Sequence, residues 1–465
     1  MSSILRSPRL VLWLVSIAGS TFLPMPVAAI VFDLRTDGTS LFAGGDFDAI
    51  DGVDASRIAR WDGTRWTALG TGIAGGDVRS LAFHAENLVA GGSFTTAGGN
   101  PAPGIAVWNG TAWSTLGGGI AGTVRTLVTF GTDLVAGGSF ATTGNGPACN
   151  IARWDGAMWH PLGEGVRQSP GASDPSEVAA LAVLDGILYA IGTFDSAGVS
   201  AASNIARWDG VAWSPLGEGL CDVPAPLPVG SDLAVLGTAI VATGCFSCVG
   251  SLAAHHAARW DGAAWSDMGF EFPALCPEFE VEVLDGMLFA GGVLPHPANP
   301  STTSIVRWDG SAWVAHARAP EPYRRIETLA GYGGQLIAGG SFEQADGAPV
   351  PGIAAWNGNR WQALQATPTA VATDPARAHR LLSVAACENG VRARLQIAPP
   401  GAVVSLRLVD VRGRLRGRFD GGWHDPGESV AFWNMHPNRG VYWVLFDAET
   451  SHSVRRLTWI EPSAR

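Results

Sequence analysis

One short stretch recurs seven times in this chain and leaves few folds open to it. Its first copy, residues 57–66, reads R-I-A-R-W-D-G-T-R-W. Two tryptophans stand five residues apart, with Asp-Gly or Asn-Gly after the first. The pairs are Trp61/Trp66, Trp108/Trp113, Trp154/Trp159, Trp208/Trp213, Trp260/Trp265, Trp308/Trp313 and Trp356/Trp361. They take up 14 of the 19 tryptophans, so this residue builds the repeat rather than decorating a surface.

Upstream of each pair lies a short apolar run ending in glycines: L-F-A-G-G-D-F at 41–47, L-V-A-G-G-S-F at 88–94 and 134–140, and L-I-A-G-G-S-F at 336–342. Copies at 188–194, 240–246 and 288–294 have drifted. A further strand-like run precedes each of these, as at 78–83 and 124–128. Each unit therefore reads as four short strands with no helical period. Successive first tryptophans lie 46 to 54 residues apart. Four strands on such a period predict the blade of a β-propeller, and seven units predict a closed, all-β, seven-bladed ring without long free edges.

The Asp62-Gly63 step predicts a two-residue type I′ hairpin turn, with Ala59 opposite Trp66 and the two indoles diagonal on one face. The pairs then act as packing between blades, and at least five of the seven are expected to be buried. The Gly-Gly steps read as close backbone approach rather than phosphate binding.

The run A-G-G-S-F, then N-I-A-R-W-D-G, then A-W-x-x-L-G resembles the kelch-like and delta-60-type propeller repeats of exported bacterial proteins, over about residues 31–364. The kelch strand order implies that the Gly-Gly strand is innermost. It also implies that the run at 31–34 closes the ring as the outermost strand of the seventh blade. In an antiparallel four-stranded unit, second-to-third and fourth-to-next connections share one end. Every insertion (168–176, 221–230, 269–278, 295–304, 318–325) is of that kind, so all long loops are expected on one face.

Residues 1–29 read as a signal peptide: Arg6 and Arg9, a short apolar stretch, then V-A-A before cleavage after Ala29. No run is long enough for a transmembrane span. Residues 365–377 read as a linker. Strand-like runs at 391–397, 403–409, 429–433, 441–446 and 454–460 predict a small β-sandwich over 378–465. Its D-V-R-G-R turn at 410–414 and G-V-Y strand at 440–442 resemble the C-terminal Ig-like domains of flagellar-hook-capping proteins and of type IX secretion sorting. The resemblance implies contact with secretion machinery or attachment at the cell surface, although N-M-H-P-N-R-G at 434–440 replaces the usual W-D-G.

Charge divides along the same boundary. Residues 30–377 carry 16 Arg against 33 acidic residues, while 378–465 carry 12 Arg against 8. An acidic body argues against nucleic acid and anionic membrane as partners.

No motif for a nucleophile, a phosphate loop or a dinucleotide is present. The acids Asp46, Asp48, Asp51 and Asp54 are spaced like part of a calcium loop, but the closing carboxylate is missing. Cys245 and Cys248 with His255 and His256 allow a zinc site. With Cys221 and Cys276 in flanking loops, one or two disulfides among Cys221, Cys245, Cys248 and Cys276 are the preferred reading. The tyrosines Tyr189, Tyr323, Tyr332 and Tyr442 do not form a copper-oxidase setting, and the W-D-G-x-x-W step is one residue shorter than the sialidase box. The expectation is an exported, monomeric, non-enzymatic propeller, without metal or cofactor, that binds a protein or glycan through its long-loop face. The alternatives are a lectin with repeated indole sites and an exported hydrolase or oxidase with a central-channel site.

Overall fold

The computed structural model describes residues 29–364 save 170–175, 223–229, 271–278, 285, 293–294, 297–298 and 321–324, together with the backbone of seven strands between 380 and 459. The signal-peptide reading of 1–28, the linker, Cys276 and most of the long loops lie outside the described residues. The described chain is all-β, in many small antiparallel sheets and without a helix. No helix there is long and apolar enough to cross a membrane.

Residues 29–364 form seven meanders of four strands each. In the first, Ile30–Thr36 pairs with Leu41–Asp46, which pairs with Ile58–Trp61, which pairs with Trp66–Ala68. The leading strands of the other six units are Val78–His84, Ile120–Phe130, Glu177–Leu184, Asp232–Leu236, Phe279–Leu284 and Ile326–Tyr332. Each leading strand packs on those of the preceding and following units, and Ile326–Tyr332 packs on Ile30–Thr36. The leading strands thus meet one another in cyclic order.

This overturns the strand order carried over from kelch repeats. The first strand belongs to its own unit, with Val31 opposite Gly45 and Leu34 opposite Ala43, and does not complete the seventh sheet. The Gly-Gly strand is second from the inside. Its glycines show why. A Cβ on Gly44 would stand 2.5 Å from Val78 Cγ1 of the next unit, and one on Gly45 would stand 2.0 Å from the Ile30 carbonyl oxygen. Gly91 and Gly137 face Val124 and Val178 in the same way, at 2.5 and 2.6 Å. The first glycine lets the next unit's inner valine seat, and the second lets the unit's own bulged inner strand approach. Gly339 of the last unit repeats the contact with Val31 of the first, at 2.9 Å. Ring closure therefore reuses the ordinary contact between units.

The tryptophan hairpins also depart from the two-residue turn. Trp61 lies directly opposite Trp66 and Ala59 opposite Ala68, leaving a four-residue loop. Asp62 N–H donates to the Arg65 carbonyl at 3.2 Å. The Asp62 carboxylate accepts from the Thr64 and Arg65 N–H groups at 2.8 and 2.9 Å. An Asp or Asn side chain that satisfies two loop N–H groups favours this wider turn over type I′. Those bonds, with the Thr64 hydroxyl first among them, hold the Asp62 carboxyl down at about 2. Asn109, Asp155, Asp209, Asp261, Asp309 and Asn357 make the same pair of bonds.

Within each pair the rings lie 5.4 to 5.6 Å apart. The second indole reaches the preceding unit: Trp113, Trp159, Trp213 and Trp265 donate Nε1–H to the carbonyls of Leu69, Leu116, Leu162 and Leu216, and Trp361 to that of Arg318. The L-G step after each of the first four pairs completes the seam. Gly117 stands where a Cβ would lie 2.3 Å from Trp154 Cζ3 and 2.6 Å from Trp159 Cδ1. Both indoles are buried in Trp61/Trp66, Trp154/Trp159 and Trp208/Trp213. In the other pairs at least one is half-buried, so the expected five buried pairs are not reached. A side chain this large fills the seam and still keeps an edge in water. None of the fourteen is exposed.

Beyond residue 379, Arg380–Cys387, Gly390–Ile397 and Gly427–Trp433 form one sheet. Leu415–His424, Ala402–Asp410, Gly440–Ala448 and Ser451–Trp459 form another. Two of these strands were not legible in the sequence: 380–387, directly after the linker stretch, and 415–424, whose three glycines break the alternation.

Candidate functional sites

In each unit the second and third strands run on beyond the meander as an accessory hairpin. In six units its base carries a left-handed residue: Arg57 (φ 61°), Asn150 (64°), Asn204 (64°) or His256 (63°), with Gly104 and Gly352 at the same place. Asparagine suits this geometry because its amide also bonds locally. Asn150 Oδ1 accepts from the Phe140 N–H, and its Nδ2 donates to the Val166 carbonyl and Ser176 Oγ. The bend turns the hairpin back against its own outer strand. There Asn145 and Asp346 side chains accept from the Trp159 and Trp361 N–H groups, both at 2.7 Å.

The connection arriving from the preceding unit joins the same hairpin. Ile73–Ala74 pairs with Thr96–Ala97, Val166–Arg167 with Ser196–Ala197, and Leu220–Asp222 with Phe246–Val249. The last of these accessory sheets is stapled by a disulfide between Cys221 and Cys248, and Cys245 is disulfide-bonded too. With their thiols so used, Cys245 and Cys248 do not offer zinc a pair of thiolates. No group of three ligating side chains that could hold a metal occurs among the described residues. The supposed calcium loop is likewise engaged: the Arg57 guanidinium lies 2.5 Å from Asp48 and 3.5 Å from Asp46.

On this connection-bearing end, a hollow of ≈ 430 Å³ opens between the third and fourth units. Ser139, Phe140, Cys149, Asn150, Arg167 and Ser176 line it. Cys149 carries a free thiol, with Arg167 Nε 3.4 Å from its sulfur.

A second arrangement lies on the axis, and no local motif in the sequence marks it. Opposite the first position of the Gly-Gly step, the seven leading strands present Asp33, Ser80, Thr126, Ala180, Asp232, Glu280 and Thr328. Two residues on they present Arg35, Ala82, Val128, Ala182, Ala234, Glu282 and Ala330. Small residues dominate both layers. The first, fifth and sixth units place four carboxylates and one guanidinium there instead.

These groups bridge units. Asp33 Oδ2 accepts from the Leu81 N–H at 2.6 Å, and Arg35 Nε donates to the Leu81 carbonyl at 3.1 Å. Ser80 Oγ accepts from the Leu127 N–H at 3.0 Å, and Asp232 Oδ2 from the Val281 N–H at 2.8 Å. Arg35 Nε lies 3.4 Å from Asp33 Oδ2. The cyclic order of the leading strands surrounds an axial space, where Arg35 keeps 43% of its side-chain exposure and Asp33, Glu282, Glu280 and Asp232 all act on its charge. Burial pushes the Asp33 carboxyl above its usual range, against the pull of Arg35. Burial first, and Glu282 among its neighbours, bring Asp232 to about 7. Burial also brings Glu282 to about 7 and, with the charges of Asp232 and Asp33 added, holds Glu280 well above its ordinary value. Lining up the run before each L-x-A-G-G would have exposed this layer, because a carboxylate there stands out against Ser, Thr and Ala.

No protein-family model matches this chain, and no curated protein does. Among solved structures the chain is similar to the crystal structure of the computationally designed Ika8 protein. Identity is 14% and the TM-score 0.41, over 93% of this chain and 97% of that one. That likeness is too distant to bear on fold or function.

Proposed function

We propose that the seven meanders are the blades of a seven-bladed β-propeller of the kelch-like or delta-60 type, each blade closed within its own unit. In this reading the protein is exported and binds a protein or glycan partner through the end that bears its long connections. An Ig-like domain over 378–465 serves secretion or surface attachment. The observation that carries the reading is the convergence of accessory hairpins and inter-unit connections at one end, braced by the Cys221–Cys248 disulfide. Among the described residues the opposite end has only tight turns such as Asp62–Arg65. A braced platform carrying variable loops is the usual form of a recognition surface. Disulfides favour an oxidising compartment. The lectin alternative is weakened because none of the paired indoles is exposed for sugar stacking.

A glycan array and a pull-down from the native cell surface, both with the full chain, test this reading. A short epitope inserted in the 223–229 connection should abolish capture, whereas the same insertion in the 109–112 turn should spare it. Equal loss from both insertions, or turnover in a hydrolase and oxidase substrate screen, would overturn it.

A further inference from the structure

We propose that the axial lumen is a proton-dependent latch, in which Asp232, Glu280 and Glu282, set in the same two layers as Arg35, hold the fifth and sixth units together in acidic medium and loosen that seam as the medium turns alkaline. The observation behind it is a shortage of countercharge in the two axial layers to which the first, fifth and sixth units contribute. Leading strands Asp232–Leu236 and Phe279–Leu284 pack on each other. Asp232 fastens the two through the Val281 N–H. Across the lumen Asp33 and Arg35 fasten the first unit to the second through both polar groups of Leu81. Four carboxylates thus share one guanidinium.

The other charges nearby are already engaged. Arg79 pairs with Asp77 and lies over the Phe32 ring, Arg125 pairs with Glu177, and Arg325 with Glu327. Tyr332, on the strand that packs against both Ile30–Thr36 and Phe279–Leu284, donates its hydroxyl to the Thr39 carbonyl. Arg35 is the cation that acts most strongly on Asp232, Glu280 and Glu282.

The sign follows from linkage. A carboxyl whose folded value lies above its unfolded value stabilises the fold fully below the unfolded value, near 4, and that stability is lost as pH rises through the folded one, about 7 for Asp232 and Glu282. His256 and His316, pushed down by burial, act oppositely as pH falls below the ordinary imidazole value of 6.5. The informative quantity is therefore the difference between variant and parent at each pH. An amide in place of the carboxyl removes the charge and keeps the shape.

The test is the melting temperature of the full chain from pH 5 to pH 8.5, for the parent, the Glu280→Gln/Glu282→Gln double variant and Asp232→Asn. The double variant should match the parent near pH 5 and exceed it by ~3–5 °C at pH 8. Raising the salt at pH 8 should narrow that gap by screening the open lumen. Asp232→Asn supplies the same reading should the double variant fail to fold. A variant-minus-parent difference that stays flat across the range, or shrinks as pH rises, overturns the latch. Capture of the partner by the parent at both pH extremes is a separate readout, so failure of the latch leaves the binding face untouched.

Discussion

Gly117 gives the sharpest test of how neighbouring units adhere. It follows the Leu116 whose carbonyl accepts from Trp159 Nε1, and it faces both indoles of the next unit. Replacing it with alanine has two costs. The first is conformational: at φ +56° a Cβ crowds the following carbonyl, at about 1–2 kcal/mol. The second is steric. The added carbon would stand 2.3 Å from Trp154 Cζ3, far inside contact distance. Trp154 and Trp159 are 8% and 3% exposed, so neither ring has room to swing away. Forcing an extra methyl into such a seam costs about 1–3 kcal/mol. Gly333 isolates the first cost: its φ is +58°, and a Cβ there meets nothing within 4 Å. Gly117→Ala should therefore lose about 2–5 kcal/mol and Gly333→Ala only the backbone share. Urea unfolding followed by tryptophan fluorescence measures both. If the two variants agree within about 0.5 kcal/mol, the indole–glycine contact is not what joins the units and the packing account fails.

Two further perturbations follow from the same seams. Trp213→Phe removes the bond to the Leu162 carbonyl and part of a buried ring, and should cost about 2–4 kcal/mol; Trp313→Phe should cost less, because Trp313 Nε1 finds no acceptor among the described residues, and equal losses in chemical unfolding would contradict this. Cys248→Ser opens a loop with a sequence separation of 27 and should lower stability by about 3–4 kcal/mol in the chain-entropy account, read from unfolding with and without reductant.

The repeat was legible because its signals are local. Trp61 and Trp66, the Asp-Gly step and the A-G-G run each recur at fixed offsets, and together they predicted four strands per unit. Errors entered where two local geometries compete for one signal. Asp62-Gly63 fits a type I′ turn by backbone preference alone, yet the Asp62 carboxylate bonds two loop N–H groups and widens the turn. The order of strands cannot be read from alternation, because an inner and an outer strand can show the same pattern. The pairing of Ile30–Thr36 with Leu41–Asp46, and the contact of Gly339 with Val31, separate the two closures. The axial layer was missed for a related reason. Arg35 and Glu282 lie far apart in the chain, and each reads locally as one charged residue in a strand. The free thiol at Cys149 and its Arg167 partner were equally silent, since two different units supply them.

Closure by the ordinary seam has a consequence for how such a chain can change over time. When the ends of a ring are woven into one sheet, a repeat cannot be lost or gained without undoing the weave. Here the first and last units keep all four of their own strands and meet as any other two do. Which unit comes first in the ring is therefore not fixed by the architecture. Duplication of a whole unit, or a new start point at any unit boundary, would carry with it every bond that unit needs.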